Sequence, residues 1–130
     1  MLGLGDTFLL SSPRNDAEHL WIVLTEPDEH GLSLCVNVTS ARDGCDCTVE
    51  LNPGDHPFIK HRSVIAYFDT RAMLLSDVEA MINMPNKSRV CKQQEPCDRA
   101  LLEKILKGVL VSKFTPKKAR QYLERKPPRA

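Results

Sequence analysis

Residues 32–39 read LSLCVNVT, and this stretch decides the fold class. Four apolar residues alternate with four small or polar ones, which is the period of two that places side chains on opposite faces of a strand. The alternation therefore predicts a strand with Leu34 and Val36 on its core face and Asn37 and Thr39 on a polar face.

Shorter runs before and after this strand predict four more strands. They cover residues 7–10, 19–25, 47–51 and 63–68. Clusters of Gly, Pro, Asn and Asp separate them, and these residues form turns because of their backbone preferences. Five short strands with such turns predict a small antiparallel sheet or barrel.

Helical patterns follow the last of these strands. Ser76 and Glu79 have the S-x-x-E spacing of a capping box at a helix start. From Asp98 onward an apolar stripe with helical spacing predicts an amphipathic helix. Thr115 as N-cap, followed by Pro116 at the first helical position, predicts the start of a third helix. The stripe consists of Leu101, Leu102, Ile105, Leu106 and Val109.

The predicted fold class is therefore mainly β with C-terminal helices, an α+β arrangement. We expect residues 1–130 to form a single domain. Within it, residues 5–75 are predicted to form a small antiparallel barrel, and residues 76–130 a basic helical extension.

The composition is typical of a globular protein, with 42% hydrophobic and 27% charged residues in 130. No apolar run approaches the roughly 18 residues that span a bilayer, and no signal peptide is evident at the N-terminus. We therefore expect a cytoplasmic protein with no membrane partner. Five cysteines, an odd number without common zinc spacings, predict reduced thiols and no metal site. We also expect no cofactor.

Charge is divided unevenly along the chain. Residues 1–85 contain five basic and 13 acidic side chains, a net charge of −8, whereas residues 86–130 contain 13 basic and four acidic ones, a net charge of +9. A basic segment on an acidic body indicates a polyanionic partner, an acidic protein partner, or contact between the two halves. For a nucleic acid, Lys113, Lys117, Lys118 and Arg120 are the candidate phosphate contacts.

Five segments, in this order, resemble MazF/PemK-like toxins of bacterial toxin–antitoxin systems over about residues 5–75. The segments are Gly5-Asp6, HLWIVLT, VNVTS, VEL and HRSVIAYFDTR. The resemblance implies a small SH3-like barrel that acts as a metal-independent endoribonuclease and is neutralised by an antitoxin. RNA, an antitoxin protein and a second copy of the chain are the partners that it implies.

The family's catalytic positions are only partly present. Its usual arginine before the second strand corresponds here to His19 and Leu20, and its later arginine and aspartate correspond to Ala66-Tyr67-Phe68. By position, only Thr39 and Ser40 carry over: the resemblance makes Thr39 a candidate catalytic residue and Ser40 a candidate substrate-binding residue.

Residues 56–63, HPFIKHRS, contain the groups that metal-free RNA cleavage requires. A base must take the 2′-hydroxyl proton, an acid must protonate the leaving oxygen, and cations must stand near the phosphate. This predicts His56 and His61 as catalytic residues and Lys60 and Arg62 as phosphate ligands. Alternatively, His56 shapes a turn and His61 faces solvent.

Two further side chains are candidates for binding a nucleotide. Tyr67 can stack on a base, and Arg71 can pair with a phosphate. Two functions therefore remain open. The first is a toxin-like RNA-binding protein that acts as an endoribonuclease, and the second is a non-catalytic SH3-like module that binds a protein or nucleic acid.

Overall fold

Strand β3, Leu32–Ser40, lies at the centre of the sheet because three strands pair with it. A computed structural model describes residues 1–11, 17–84 and 91–125. Strand β2 (Glu18–Val23) lies along one edge of β3. Along the other edge, the first half of β3 pairs with β6 (Arg71–Leu74) and the second half with β5 (Ser63–Ile65). Because its two halves have different neighbours on that edge, β3 forms the bend of a curled sheet.

The remaining elements complete a half-barrel with three helices. They are β1 (Thr7–Ser11), β4 (Glu50–Leu51), β7 (Cys91–Gln94), α1 (Leu75–Asn83), α2 (Arg99–Val111) and α3 (Lys117–Arg125). The antiparallel sheet has the order β4-β5-β3-β2-β1-β7, with β6 on β3. This architecture is the mainly β, α+β arrangement that the sequence predicts. Strand β7 lies inside the expected helical extension, yet it pairs with β1 of the sheet.

Both faces of β3 are buried, although the sequence predicted a polar outer face. The inner face contributes Leu34, Val36 and Val38 to the main core. On the outer face Ser33, Cys35 and Asn37 are also buried. The reason is a second apolar cluster that covers this face of the sheet. It contains Leu2, Phe8, Trp21, Val23, Cys35, Leu75 and Val78.

The predicted amphipathic stripe of α2 packs into the main core, which confirms that expectation. Leu101, Leu102, Ile105 and Val109 are buried there, and Leu106 packs against them. The helix begins after Asp98, whose side chain accepts a hydrogen bond from the Ala100 amide at 2.8 Å, as an N-cap residue does.

Three local predictions were wrong. Ser76 does not cap α1, because the helix already begins at Leu75 and its N-cap Leu74 offers no side-chain hydrogen bond. Thr115 does not cap α3, since its buried hydroxyl has no hydrogen-bond partner within the described residues. The predicted strand at residues 63–68 ends at Ile65, and Tyr67–Asp69 form a 3₁₀ turn instead.

Within the described parts of the chain, no helix combines the length and apolar character needed to cross a bilayer.

A close approach between α2 and the 3₁₀ turn depends on Gly108. The Tyr67 hydroxyl donates a hydrogen bond to the Ile105 carbonyl at 2.8 Å, so the ring passes beside the next turn of the helix. A Cβ at Gly108 would lie 2.6 Å from Cζ of Tyr67 and 3.1 Å from Cγ2 of Val49, and closer still to the hydroxyl. Only glycine leaves room for the ring.

We predict that Gly108→Ala lowers the free energy of unfolding by about 1–3 kcal/mol, the usual cost of overpacking a core. In an exposed helix the same change would stabilise by roughly 0.5–1 kcal/mol, so the sign identifies the contact. Urea unfolding measures it. Lys107→Ala, on the exposed side of α2, is the control and should change stability by less than about 0.5 kcal/mol. A Gly108→Ala protein more stable than wild type would contradict the prediction.

Candidate functional site

A cleft of about 380 Å³ opens where several elements end. Its walls come from the end of β3, the loop at residues 42–46, strand β5, the 3₁₀ turn and the segment between α2 and α3. Its polar, charged and aromatic lining residues are Thr39, Ser40, Arg42, Asp43, Cys45, Asp46, Phe68 and Phe114. Thr39 and Ser40, the positions implied by the family resemblance, thus lie in the same cleft.

The cleft is flanked by two exposed phenylalanines. Phe68 is 66% exposed and Phe114 is 58% exposed. Phe68 faces outward because Tyr67, its neighbour in the 3₁₀ turn, is directed into the core. Phe114 follows the end of α2, where its amide donates a hydrogen bond to Oγ of Ser112 at 3.1 Å. Exposed aromatic rings on a cleft offer apolar faces to a ligand.

The loop at residues 42–46 is held by hydrogen bonds. The Cys45 amide donates to the Arg42 carbonyl at 3.1 Å, and Gly44 adopts a φ of 79°, a conformation that favours glycine. The Asp46 carboxylate accepts hydrogen bonds from the hydroxyls of Ser112 and Thr48 at 2.6 and 2.5 Å. Burial opposes ionisation of Asp46, but these hydrogen bonds outweigh it and lower the pKa of Asp46.

Ser40 and His61 form a hydrogen-bonded pair at the edge of the cleft. Oγ of Ser40 lies 2.7 Å from Nε2 of His61, and both residues are exposed. The pair exists because Ser40 ends β3 opposite Ser63 of β5, two residues after His61. A hydroxyl in contact with an imidazole provides a group that can take or give a proton.

His56 lies away from this pair and is buried. Its Nδ1 accepts a hydrogen bond from the Phe58 amide at 3.0 Å, and its Nε2 lies 2.7 Å from the Glu95 carbonyl and 3.4 Å from Oγ1 of Thr7. Both ring nitrogens therefore have protein partners. The structure does not bring His56 and His61 together, and the geometry favours a turn-shaping role for His56.

The other predicted phosphate ligands of this segment differ in availability. Lys60 is exposed. Arg62 forms a salt bridge with Glu50, and this interaction lowers the pKa of the carboxylate. The charge of Arg62 is therefore already compensated within the protein.

Tyr67 and Arg71 are also engaged in contacts within the protein. Tyr67 is fully buried, and burial raises the pKa of its hydroxyl. Arg71 forms a salt bridge with Asp69 and lies over the Trp21 ring, 5.3 Å from its centroid. The exposed aromatic side chain of this turn is Phe68, one residue after the predicted one.

The basic residues of the C-terminal segment have two different roles. Lys113, Lys117 and Lys118 are exposed on either side of Phe114 in sequence. Arg120 instead donates hydrogen bonds to the Leu110 carbonyl, at 3.0 Å, and to the Ser112 carbonyl. Arg120 therefore satisfies carbonyls at the end of α2, so it is not free to serve as a phosphate contact in the way that the three lysines are.

Cys45 and Cys47 lie next to the cleft with their sulfur atoms 3.3 Å apart. Their hydrogen bond raises the pKa of Cys47, which is exposed. Among the residues that the structure describes, no group of three or more His, Cys, Asp or Glu side chains could hold a metal ion.

Comparisons of the chain with protein-family models, with curated proteins and with solved structures gave no match. We therefore infer a function from the geometry of the cleft and from the chemistry of the residues around it.

The two histidines should respond differently to removal. We predict that His56→Ala lowers the free energy of unfolding by about 1–3 kcal/mol, because the Phe58 amide and the Glu95 carbonyl lose a hydrogen-bond partner. His61→Ala should change it by less than about 0.5 kcal/mol, as is usual at the surface. Chemical denaturation of both variants tests this. Equal stability of the two proteins would show that the His56 contacts contribute nothing.

Proposed function

We propose that the cleft binds single-stranded RNA, with bases stacked on Phe68 and Phe114. The observation that carries this proposal is the exposure of both rings at one cleft. Exposed large aromatics cost free energy in water, and stacking with bases is a common use of such rings. Every base has an aromatic face, so the arrangement suits a flexible strand of varied sequence.

Cations around the cleft suit the phosphates of such a strand. Arg42 lies in the wall of the cleft, and Lys113 and Lys117 stand on either side of Phe114 in the sequence. Within the described residues neither Lys113 nor Lys117 has a salt-bridge partner, whereas Arg62 and Arg71 are paired with Glu50 and Asp69. A strand lying across Phe114 would therefore neutralise basic residues of the +9 segment.

Cleavage of the bound strand is the second part of the proposal. His61 can act as the base or acid at a ribose 2′-hydroxyl or at the leaving oxygen, with Ser40 linking it to the cleft. Thr39 and Arg42 can contact the phosphate. The chain would then be a metal-independent endoribonuclease of the MazF/PemK-like kind, with an SH3-like sheet, acting in the bacterial cytoplasm. An antitoxin would be its protein partner, and a homodimer its assembled form.

A second candidate is a module that binds a protein and has no catalytic activity. Leu110 and Val111 at the end of α2 are exposed, as is Phe114 nearby. Exposed apolar residues close together favour a protein partner. A protein that neither binds nor cuts RNA would favour this candidate.

Removing the rings should weaken RNA binding. We predict that Phe68→Ala and Phe114→Ala each reduce the affinity for a fluorescent single-stranded RNA by roughly 5- to 100-fold, since a stacked base contributes about 1–3 kcal/mol. Fluorescence anisotropy at fixed salt measures it. Val111→Ala is the matched control, because Val111 is 69% exposed but does not line the cleft. Equal affinity of the wild type and both phenylalanine variants would contradict stacking.

If His61 is catalytic, purified protein should cut single-stranded RNA in EDTA. His61→Ala should reduce the cleavage rate by about 10²–10⁴-fold, the usual loss on removing a general acid or base, while RNA affinity changes little. His30→Ala is the control, because His30 is an exposed turn histidine that does not line the cleft. Cleavage at the wild-type rate by His61→Ala would exclude His61 as a catalytic residue. If the wild type binds RNA but does not cut it, the protein binds RNA without catalytic activity.

A further inference from the structure

Cys45 and Cys47 are placed for a covalent reaction with each other. Their sulfur atoms are 3.3 Å apart, whereas a disulfide requires about 2.05 Å, so the two sulfur atoms must approach each other by about 1.2 Å for the bond to form. Cys47 is exposed and Cys45 is half-buried in the cleft wall, so an oxidant in solution can reach the pair. The buried Cys35 and Cys97 have no such access.

The residue between the two thiols connects both walls of the cleft. Oδ2 of Asp46 accepts a hydrogen bond from Oγ of Ser112 at 2.6 Å, and the same Oγ accepts one from the Phe114 amide at 3.1 Å. Asp46 is thus linked through Ser112 to the backbone of Phe114. Any change in the backbone of residues 45–47 acts on that chain of hydrogen bonds.

We propose that Cys45 and Cys47 form a reversible dithiol–disulfide site that controls the position of Phe114 and, through it, ligand binding in the cleft. The oxidant is a low-molecular-weight disulfide such as oxidised glutathione. The thiolate of Cys47 attacks it, which forms a mixed disulfide and releases one glutathione. The thiolate of Cys45 then attacks the Cys47 sulfur and releases the second glutathione. Two protein thiols are oxidised, one external disulfide is reduced, and the two protons end on the released glutathione thiols.

The oxidised form should bind more weakly. The new bond closes a small ring through residues 45–47, and the torsions of Asp46 inside this ring become restricted. Its carboxylate then no longer keeps both hydroxyl partners, Ser112 and Thr48, in place. Phe114 loses the fixed acceptor of its amide, so the ring is held less firmly against the ligand. The expected loss of RNA affinity rests on the proposed function, whereas the expected loosening of Phe114 does not.

The chemistry is tested on the full chain with oxidised glutathione at pH about 8. We expect a mass loss of about 2 Da, a disulfide that peptide mapping assigns to Cys45 and Cys47, and reversal by dithiothreitol. Cys47→Ser and Cys45→Ser should each instead retain one glutathione. Cys91→Ser, in β7, is the control and should behave as wild type. A wild-type protein that accumulates mixed disulfides, or forms its disulfide elsewhere, would overturn the proposal.

The coupling to the cleft is tested by two measurements on the oxidised and reduced protein. Hydrogen exchange at the Phe114 amide should become at least about fivefold faster on oxidation, and affinity for single-stranded RNA should fall by about fivefold or more. The double variant Cys45→Ser/Cys47→Ser should show neither change. An unchanged Phe114 amide in a fully oxidised protein would overturn the control mechanism. Faster exchange in a protein that binds no RNA in either form would support the switch and overturn the proposed ligand.

Discussion

The packing of Tyr67 beside Gly108 is the contact on which the rest of the structure depends. It joins the sheet to α2 through a buried hydrogen bond to the Ile105 carbonyl, at a place where no larger side chain fits. Because Tyr67 is directed inward, the next residue in the turn faces solvent. Because α2 is held there, its end brings Phe114 to the same side. The buried Tyr67 ring therefore contributes to the placement of both exposed rings.

The cleft is formed where two strands meet loops and turns. Its residues come from the last positions of β3, from β5, from a glycine-containing loop, from a 3₁₀ turn and from the connection after α2. The backbone of loops and turns does not follow the fixed direction of a strand or helix. Side chains from several such segments can therefore be directed toward the same point. The sheet and α2 hold these segments in place. Helix α3 is fastened by Tyr122, whose single hydroxyl proton is shared between the Asp28 carboxylate at 3.0 Å and the Leu32 carbonyl at 2.9 Å. The residues that stabilise the fold are thus different from those that would contact a ligand.

The sequence predicted the features that depend on local periodicity. The alternation in β3 identified its core face, and the spacing in α2 identified its buried stripe. Features that depend on distant contacts were not predictable in this way. His56 is buried by groups near residues 7 and 95, and nothing in HPFIKHRS indicates that. The exposure of Phe68 required knowing that the fifth strand ends early. A single Phe after an amphipathic helix, as at position 114, carries no distinctive pattern.

The pairing of β1 with β7 has a consequence for how the protein is made. Thr7 lies opposite Gln94, so the edge of β1 stays uncovered until residues 91–94 have left the ribosome. Contacts between such distant segments slow folding, because a long loop must close before they form. A nascent chain stalled before residues 91–94 emerge would expose an unpaired strand edge, which is where another copy could attach. The order of synthesis, and not only the final packing, therefore affects whether this sheet assembles without pairing to another copy.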